Sequence, residues 1–167
     1  MKEELVLQVK IKEGQQPQKL DLNVDLDINR ENINAEMTNQ PSMFAWYAVL
    51  HELAKAKSVE MKRKEKAFRA ELDKKIRSKA KEDEVKLTET AIDSIITTSP
   101  DFINIQKLCN NADLEAGLLN VARQAFEQRK DMLISISSNM RNEVDTDIKV
   151  LKESVRKKMS KLKGSET

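Results

Sequence analysis

A chain of 167 residues with 35% charged and 39% apolar side chains, three glycines and three prolines has the composition of long amphipathic helices, not of a loop-rich enzyme. One cysteine excludes an internal disulfide, and a single histidine beside it excludes a His/Cys metal centre within one chain. The net charge is only +2, but it is segregated: residues 55–86 carry 13 Lys/Arg against 7 Asp/Glu, residues 87–148 carry 5 against 10, and residues 149–163 carry 7 against 1. Two basic stretches on a near-neutral chain point to an anionic partner or to self-complementary packing. Charge of this density also serves ordinary helix solubility.

Residues 3–28 alternate. Leu5, Leu7, Val9 and Ile11 share one parity, and Leu20, Leu22, Val24, Leu26 and Ile28 share another, with the turn-like Glu13–Pro17 between them. A period of two predicts two strands in a hairpin, with Asp21, Asn23, Asp25 and Asp27 on the outer face. A two-stranded hairpin is marginal alone, so its apolar face needs the helices or another subunit as a cover. Residues 29–40 read as a short helix or ordered turn.

Pro41 suits the first turn of a helix, and no Gly or Pro follows from Ser42 to Glu84. A first long helix is therefore expected from Pro41 to about Glu82. Phe44, Tyr47, His51, Ala54, Ser58, Met61, Phe68 and Leu72 give its 3–4 seam, interrupted by Glu65. Thr88 is the expected N-cap of a short helix with Ala91, Ile92, Ile95 and Ile96 on its apolar side. Ser99-Pro100-Asp101 starts a second long helix, running to at least Arg141. Its apolar face comprises Phe102, Ile105, Leu108, Cys109, Ala112, Ala116, Leu119, Ala122, Phe126, Leu133, Ile136 and Met140, and Val144, Ile148, Leu151, Val155 and Leu162 continue the spacing into the basic tail. Gly164–Thr167 is expected to fray.

Two helices joined by a short connector fold back antiparallel most simply. The expected fold class is mainly α: a long antiparallel helical hairpin with a short connecting helix, preceded by an N-terminal β-hairpin. Residues 1–29 form the hairpin, for oligomerisation or docking; residues 30–141 form the helical core; residues 142–167 form a basic helical extension.

No P-loop glycine–lysine motif occurs, and His51 is the only imidazole a Ser or Cys nucleophile could use. His51 and Cys109 sit on apolar faces, where core packing is the ordinary role. The pairs Asp25/Asp27 and Asp145/Asp147 have no pocket around them in this pattern. The chain reads as a non-enzyme without metal or cofactor. Its start, MKEELVLQVK, lacks an apolar secretion core, and no window approaches the ~18 apolar residues of a membrane span. A cytoplasmic protein with no membrane partner is expected.

Binding chemistry is concentrated in the basic run, where Lys55, Lys57, Lys62, Arg63, Lys64, Lys66, Arg69 and Lys74 are the candidate contacts. Lys55, Lys62, Lys66 and Arg69 fall along one side of a helix, and Lys57 and Lys64 along another. A basic ridge suits a phosphate backbone tracked without sequence readout. Few aromatics are left for base stacking; Phe44, Trp46, Tyr47, Phe68 and Phe126, with Leu72, are assigned to the core or to an oligomer interface.

The stretch Phe44–Asp73, FAWYAVLHELAKAKSVEMKRKEKAFRAELD, resembles the first long helix of the UvsY-type phage recombination mediators: an aromatic-rich start with Trp46, a basic middle, and the ending Phe68-Arg69-Ala70-Glu71-Leu72-Asp73. Ile95–Gln106 resembles the start of the family's second helix, and Gln128–Ile136 its C-terminal basic-apolar segment. The resemblance covers roughly residues 40–140. It implies a ring-like homo-oligomer that binds single-stranded DNA and helps a RecA-like recombinase replace single-strand-binding protein, in the host cytoplasm for a phage-encoded chain. Of the family's basic pair, Arg69 fills the first place and Glu71 the second, which shifts phosphate contacts toward Lys62, Arg63 and Lys66. The β-hairpin and the basic extension lie outside the family pattern. Two other readings fit the composition: a structural coiled-coil scaffold, and a prefoldin-like holdase chaperone.

Overall fold

The computed structural model describes residues 6–9 and 18–163, and side chains as far as Lys157. Strands β1 (Val6–Val9) and β2 (Gln18–Asp21) pair antiparallel, with Leu7 opposite Leu20 and Val9 opposite Gln18. One helical turn, α1 (Leu22–Asp25), and a 3-10 turn (Arg30–Asn32) lead into α2 (Ile33–Glu82); α3 (Glu89–Thr98) and α4 (Pro100–Lys163) follow. The expected mainly-α hairpin, short connecting helix and preceding β-hairpin are all present. Leu5, Ile11, the expected turn at residues 13–17 and the expected fraying at 164–167 lie outside the described residues.

Two boundaries differ from the sequence pattern. The second strand ends at Asp21, because the Asp21 carboxylate accepts hydrogen bonds from the backbone N–H groups of Asn23 (3.1 Å) and Val24 (3.4 Å) and so caps α1. Leu22 is buried while Val24 points to solvent, which ends the period of two. The first long helix begins at Ile33, eight residues before Pro41, which sits inside it. A proline there removes one backbone hydrogen bond and crowds the preceding turn, at a cost of about 3 kcal/mol. The turns before Pro41 are held by tertiary contacts instead: Ile33 and Gln40 are buried, and Glu36 and Gln40 both bind Arg129 of α4.

The predicted caps hold. Thr88 Oγ1 accepts from the Ala91 N–H at 3.2 Å and starts α3, and Ser99 Oγ accepts from the Phe102 N–H at 3.2 Å ahead of α4. The C-terminus of α2 closes in a way its composition did not signal. Val85 N–H donates to the Ala80 carbonyl at 2.8 Å across Glu84, whose φ is +56°. This is the left-handed helix stop that glycine ordinarily occupies. Replacing Glu84 with glycine is expected to stabilise the protein by about 1 kcal/mol, seen as a raised thermal midpoint; an unchanged or lowered midpoint would show that the turn is not under strain.

Helices α2 and α4 run antiparallel along most of α2: Gln40 meets Phe126, and Ser58 meets Asp113. Gln40, Tyr47, Ala54, Met61 and Phe68 recur every seven residues on α2, as do Ile105, Ala112, Leu119, Phe126 and Leu133 on α4, all buried or half-buried. A seven-residue repeat keeps both seams in contact over a long distance. Leu108 and Met140, counted on the α4 face by spacing, are exposed: Leu108 lies at the edge of the seam beside the buried Cys109, and Met140, next in the row after Leu133, lies beyond the reach of α2.

The core has two parts. In the first, Tyr47, Leu50 and Ala54 of α2 and Leu119, Ala122 and Phe126 of α4 enclose Val9, Leu20 and Leu22, so the chain's own helices cover the β-hairpin. Tyr47 and Phe126 stack with ring centroids 4.6 Å apart, and the Tyr47 hydroxyl donates to Asp25 at 2.5 Å. Burial, reinforced by that bond, drives the phenol pKa well upward. In the second, Ile92, Ile96 and Phe102 pack against Phe68, Leu72 and Ile76, fixing α3 at the turn of the hairpin.

Candidate nucleic-acid interface

The packed seam of α2 determines what its outer surface can be. With Tyr47, Leu50, Ala54, Phe68 and Leu72 turned toward α4 and α3, the helical period places Lys55, Ala56, Val59, Arg63 and Ala67 on the outer side, and Lys66, Ala70 and Lys74 at its edge, where they border α3. All eight are exposed. This strip spans about 29 Å of helix at 1.5 Å per residue. Its alanines leave the four cationic side chains uncrowded, and the acids Asp73, Glu89 and Asp93 border its C-terminal end, in one groove with Lys66 and Lys74.

The eight candidate cations fall into two groups. Lys55, Arg63, Lys66 and Lys74 make no ion pair among the described residues. The other four are paired. Lys57 Nζ lies 2.6 Å from Glu115 and Lys62 Nζ 2.8 Å from Asp113, both across the helix pair. Arg69 bonds Asp93 of α3, and Lys64 bonds Glu60 one turn back at 2.6 Å. The sequence placed Lys62 and Arg69 with Lys55 and Lys66; the fold turns those two toward acids on the neighbouring helices. Arg63 and Lys74 take their places on the open strip. Nothing within α2 could have signalled this, because the acids that decide it lie on α3 and α4.

The pairs shift their carboxyls in the expected sense. Lys62 first, and then the Ser58 hydroxyl, hold Asp113 below the usual carboxylate range, and Lys64 does the same for Glu60. These carboxylates are open to water, so each pair is weak, and a phosphate can displace one at little cost. Beyond the strip, Arg77 binds Glu89 in a fork of 2.9 and 2.6 Å and Asp73 at 2.9 Å, tying α2 to α3.

The aromatic candidates divide in the same way. Tyr47 and Phe126 are fully buried; Phe44 packs half-buried beside them, and Phe68 and Leu72 pack in the second cluster. Trp46 is 40% exposed, about a third of a turn away from the basic strip and N-terminal to it. No aromatic lies on the strip itself. His51 is half-buried; its Nδ1 lies 3.3 Å from Glu52 Oε1 but makes no hydrogen bond among the described residues. Cys109 is buried, and burial together with the nearby Glu65 carboxylate pushes its thiol pKa up, so it favours the neutral packing form.

A buried cation at the N-terminal end of α2, away from the strip, carried no signal in the basic run. Arg129 is only 6% exposed and binds Gln40 Oε1 (2.7 Å), the Asp27 carbonyl (2.8 Å), the Leu26 carbonyl (3.3 Å) and Glu36. Gln40 in turn donates to the Phe126 carbonyl at 2.6 Å. The available signal was positional: Arg129 falls between Phe126 and Leu133, where the seam calls for an apolar residue.

The chain matches no family model, no curated protein and no solved structure. Among the described residues no group of three or more His, Cys, Asp or Glu is placed to hold a metal ion, and no helix is long and apolar enough to cross a membrane. What the strip offers is a row of cations with small residues between them, able to take a chain of phosphates and unable to read bases by stacking.

Proposed function

We propose that this protein is a cytoplasmic, non-enzymatic recombination mediator of the phage type. It binds single-stranded DNA without sequence preference and assists a RecA-like recombinase in displacing single-strand-binding protein. The observation that carries the DNA-binding half is the row Lys55–Arg63–Lys66–Lys74 on α2, four exposed cations with no ion pair among the described residues. The recombinase half rests on the resemblance of Phe44–Asp73 to the first helix of the mediators. Self-association repeats the strip and converts a few weak phosphate contacts per subunit into avidity. Lys57, Lys62, Lys64 and Arg69 form a reserve of cations on the strip's flanks, each able to exchange its acid for a competing phosphate.

The test is fluorescence anisotropy of labelled oligo-dT at ~50 and ~300 mM salt, a range over which phosphate contacts weaken strongly. Tight binding at low salt that falls steeply is expected. Changing Lys55, Arg63, Lys66 and Lys74 together to alanine should flatten the plot of log affinity against log salt by about 0.7 per lost phosphate contact. No binding at low salt would sink the reading. An unchanged slope in the variant would relocate the interface. The scaffold reading gains from one observation, the exposed apolar stripe near the end of α4, and it predicts a stable oligomer indifferent to DNA.

A further inference from the structure

Helix α4 outruns the hairpin. From Asn139 to Lys157 every residue is exposed, since neither α2 nor the β-hairpin reaches this far along it. A free-standing helix in water would ordinarily be polar all round. This one carries Val144, Ile148, Leu151 and Val155 at intervals of four, three and four, which places them in one stripe. Ile148 is 44% exposed and Leu151 64%. With Lys152 and Arg156, three of these residues line a shallow groove of about 500 Å³.

The spacing alternates as the two core rows of a coiled coil do. Ile148 and Val155 occupy one row, conventionally a, and Val144 and Leu151 the other, d. β-Branched side chains at a with leucine at d favour two parallel strands. The flanks agree. In a parallel pair, a residue just before a core a position faces the residue five places further along the partner helix. Asp147 of one copy then meets Lys152 of the other, and symmetry makes the contact twice. The helix is already nucleated by its packed N-terminal half, so dimerisation does not bear that cost again. In the sequence Arg141 and Lys158 take the next positions of the two rows, which keeps the seam short and the dimer dependent on concentration.

We infer that the stripe Val144–Ile148–Leu151–Val155 is the contact surface for a second copy of this chain, joined in a parallel two-stranded coiled coil. This deepens the self-association part of the proposed function and rests on it; it does not depend on DNA binding.

The experiment is sedimentation equilibrium on the full chain over a wide concentration range, comparing wild type with the double variant Ile148→Asp, Leu151→Asp. Both side chains are exposed in the single subunit, so circular dichroism should show the fold unchanged. Wild type is expected to self-associate, and the variant to lose a twofold step in mass. If the variant keeps the wild-type mass, the stripe is not the contact and self-association stands on another surface. If wild type stays a single subunit throughout, both the stripe and the self-association it deepens are overturned, and the stripe is left for a different protein. Orientation is tested by Val144→Cys and Val155→Cys, made separately and oxidised. A parallel pair in register cross-links at both positions. An antiparallel pair brings at most one of them together, because they lie about 17 Å apart along the helix.

Discussion

Arg129→Ala is expected to cost about 3–5 kcal/mol of folding stability, because it removes one partner of a buried ion pair and leaves the other behind. The guanidinium satisfies Glu36, Gln40 and the carbonyls of Leu26 and Asp27, so alanine strands a carboxylate, an amide oxygen and two carbonyl oxygens in a partly dry site. It also releases what holds the two turns of α2 that precede Pro41. Urea unfolding followed at 222 nm should show the midpoint fall sharply. A pairwise control separates charge from packing: Arg129→Met combined with Glu36→Gln leaves no buried charge and should recover much of the loss. Equal losses in the single and double variants would mean that the site works by shape and not by charge.

Phe126→Ala is expected to cost a similar 3–5 kcal/mol, by a different mechanism. Its ring is fully buried against Tyr47, at the point where α2, α4 and the β-hairpin converge, so no single neighbour can relax into the space. The midpoint should fall with little change in denaturant dependence, since the exposed area of the unfolded chain barely changes. A double-mutant cycle with Tyr47→Ala should return a coupling of about 0.5–1.5 kcal/mol for the stacked pair. A loss under 1 kcal/mol would show that the cluster collapses around the cavity and packs more loosely than its burial implies.

Much of the helical scaffold was legible because its signals are local. Thr88 and Ser99 cap where their side chains reach a nearby N–H, and Pro100 opens α4 where a missing donor does no harm. The errors arose where a distant contact overrides a local preference. Pro41 reads as a helix start until Arg129, nearly ninety residues on, anchors the turns before it. Asp21 reads as an outward strand residue until its carboxylate finds two N–H groups and ends the strand. The candidate site followed the same rule. That α2 is basic is plain from its residues, but which cations stay open depends on Asp93, Asp113 and Glu115, whose placement beside α2 belongs to the register between helices.

The hairpin's wiring also sets an order for its assembly. Its turn is closed by Arg77 and Glu89, only 12 residues apart, while its far end is closed by Arg129 and the Leu26 carbonyl, 103 residues apart. Bringing the distant ends together first would forfeit about 2 kcal/mol more chain entropy than closing the near ones. Refolding should therefore zip from α3 outward, with the basic half of α2 docking early and the β-hairpin last. The same gradient, run in reverse, makes the end held by Arg129 the place where the native protein first comes apart.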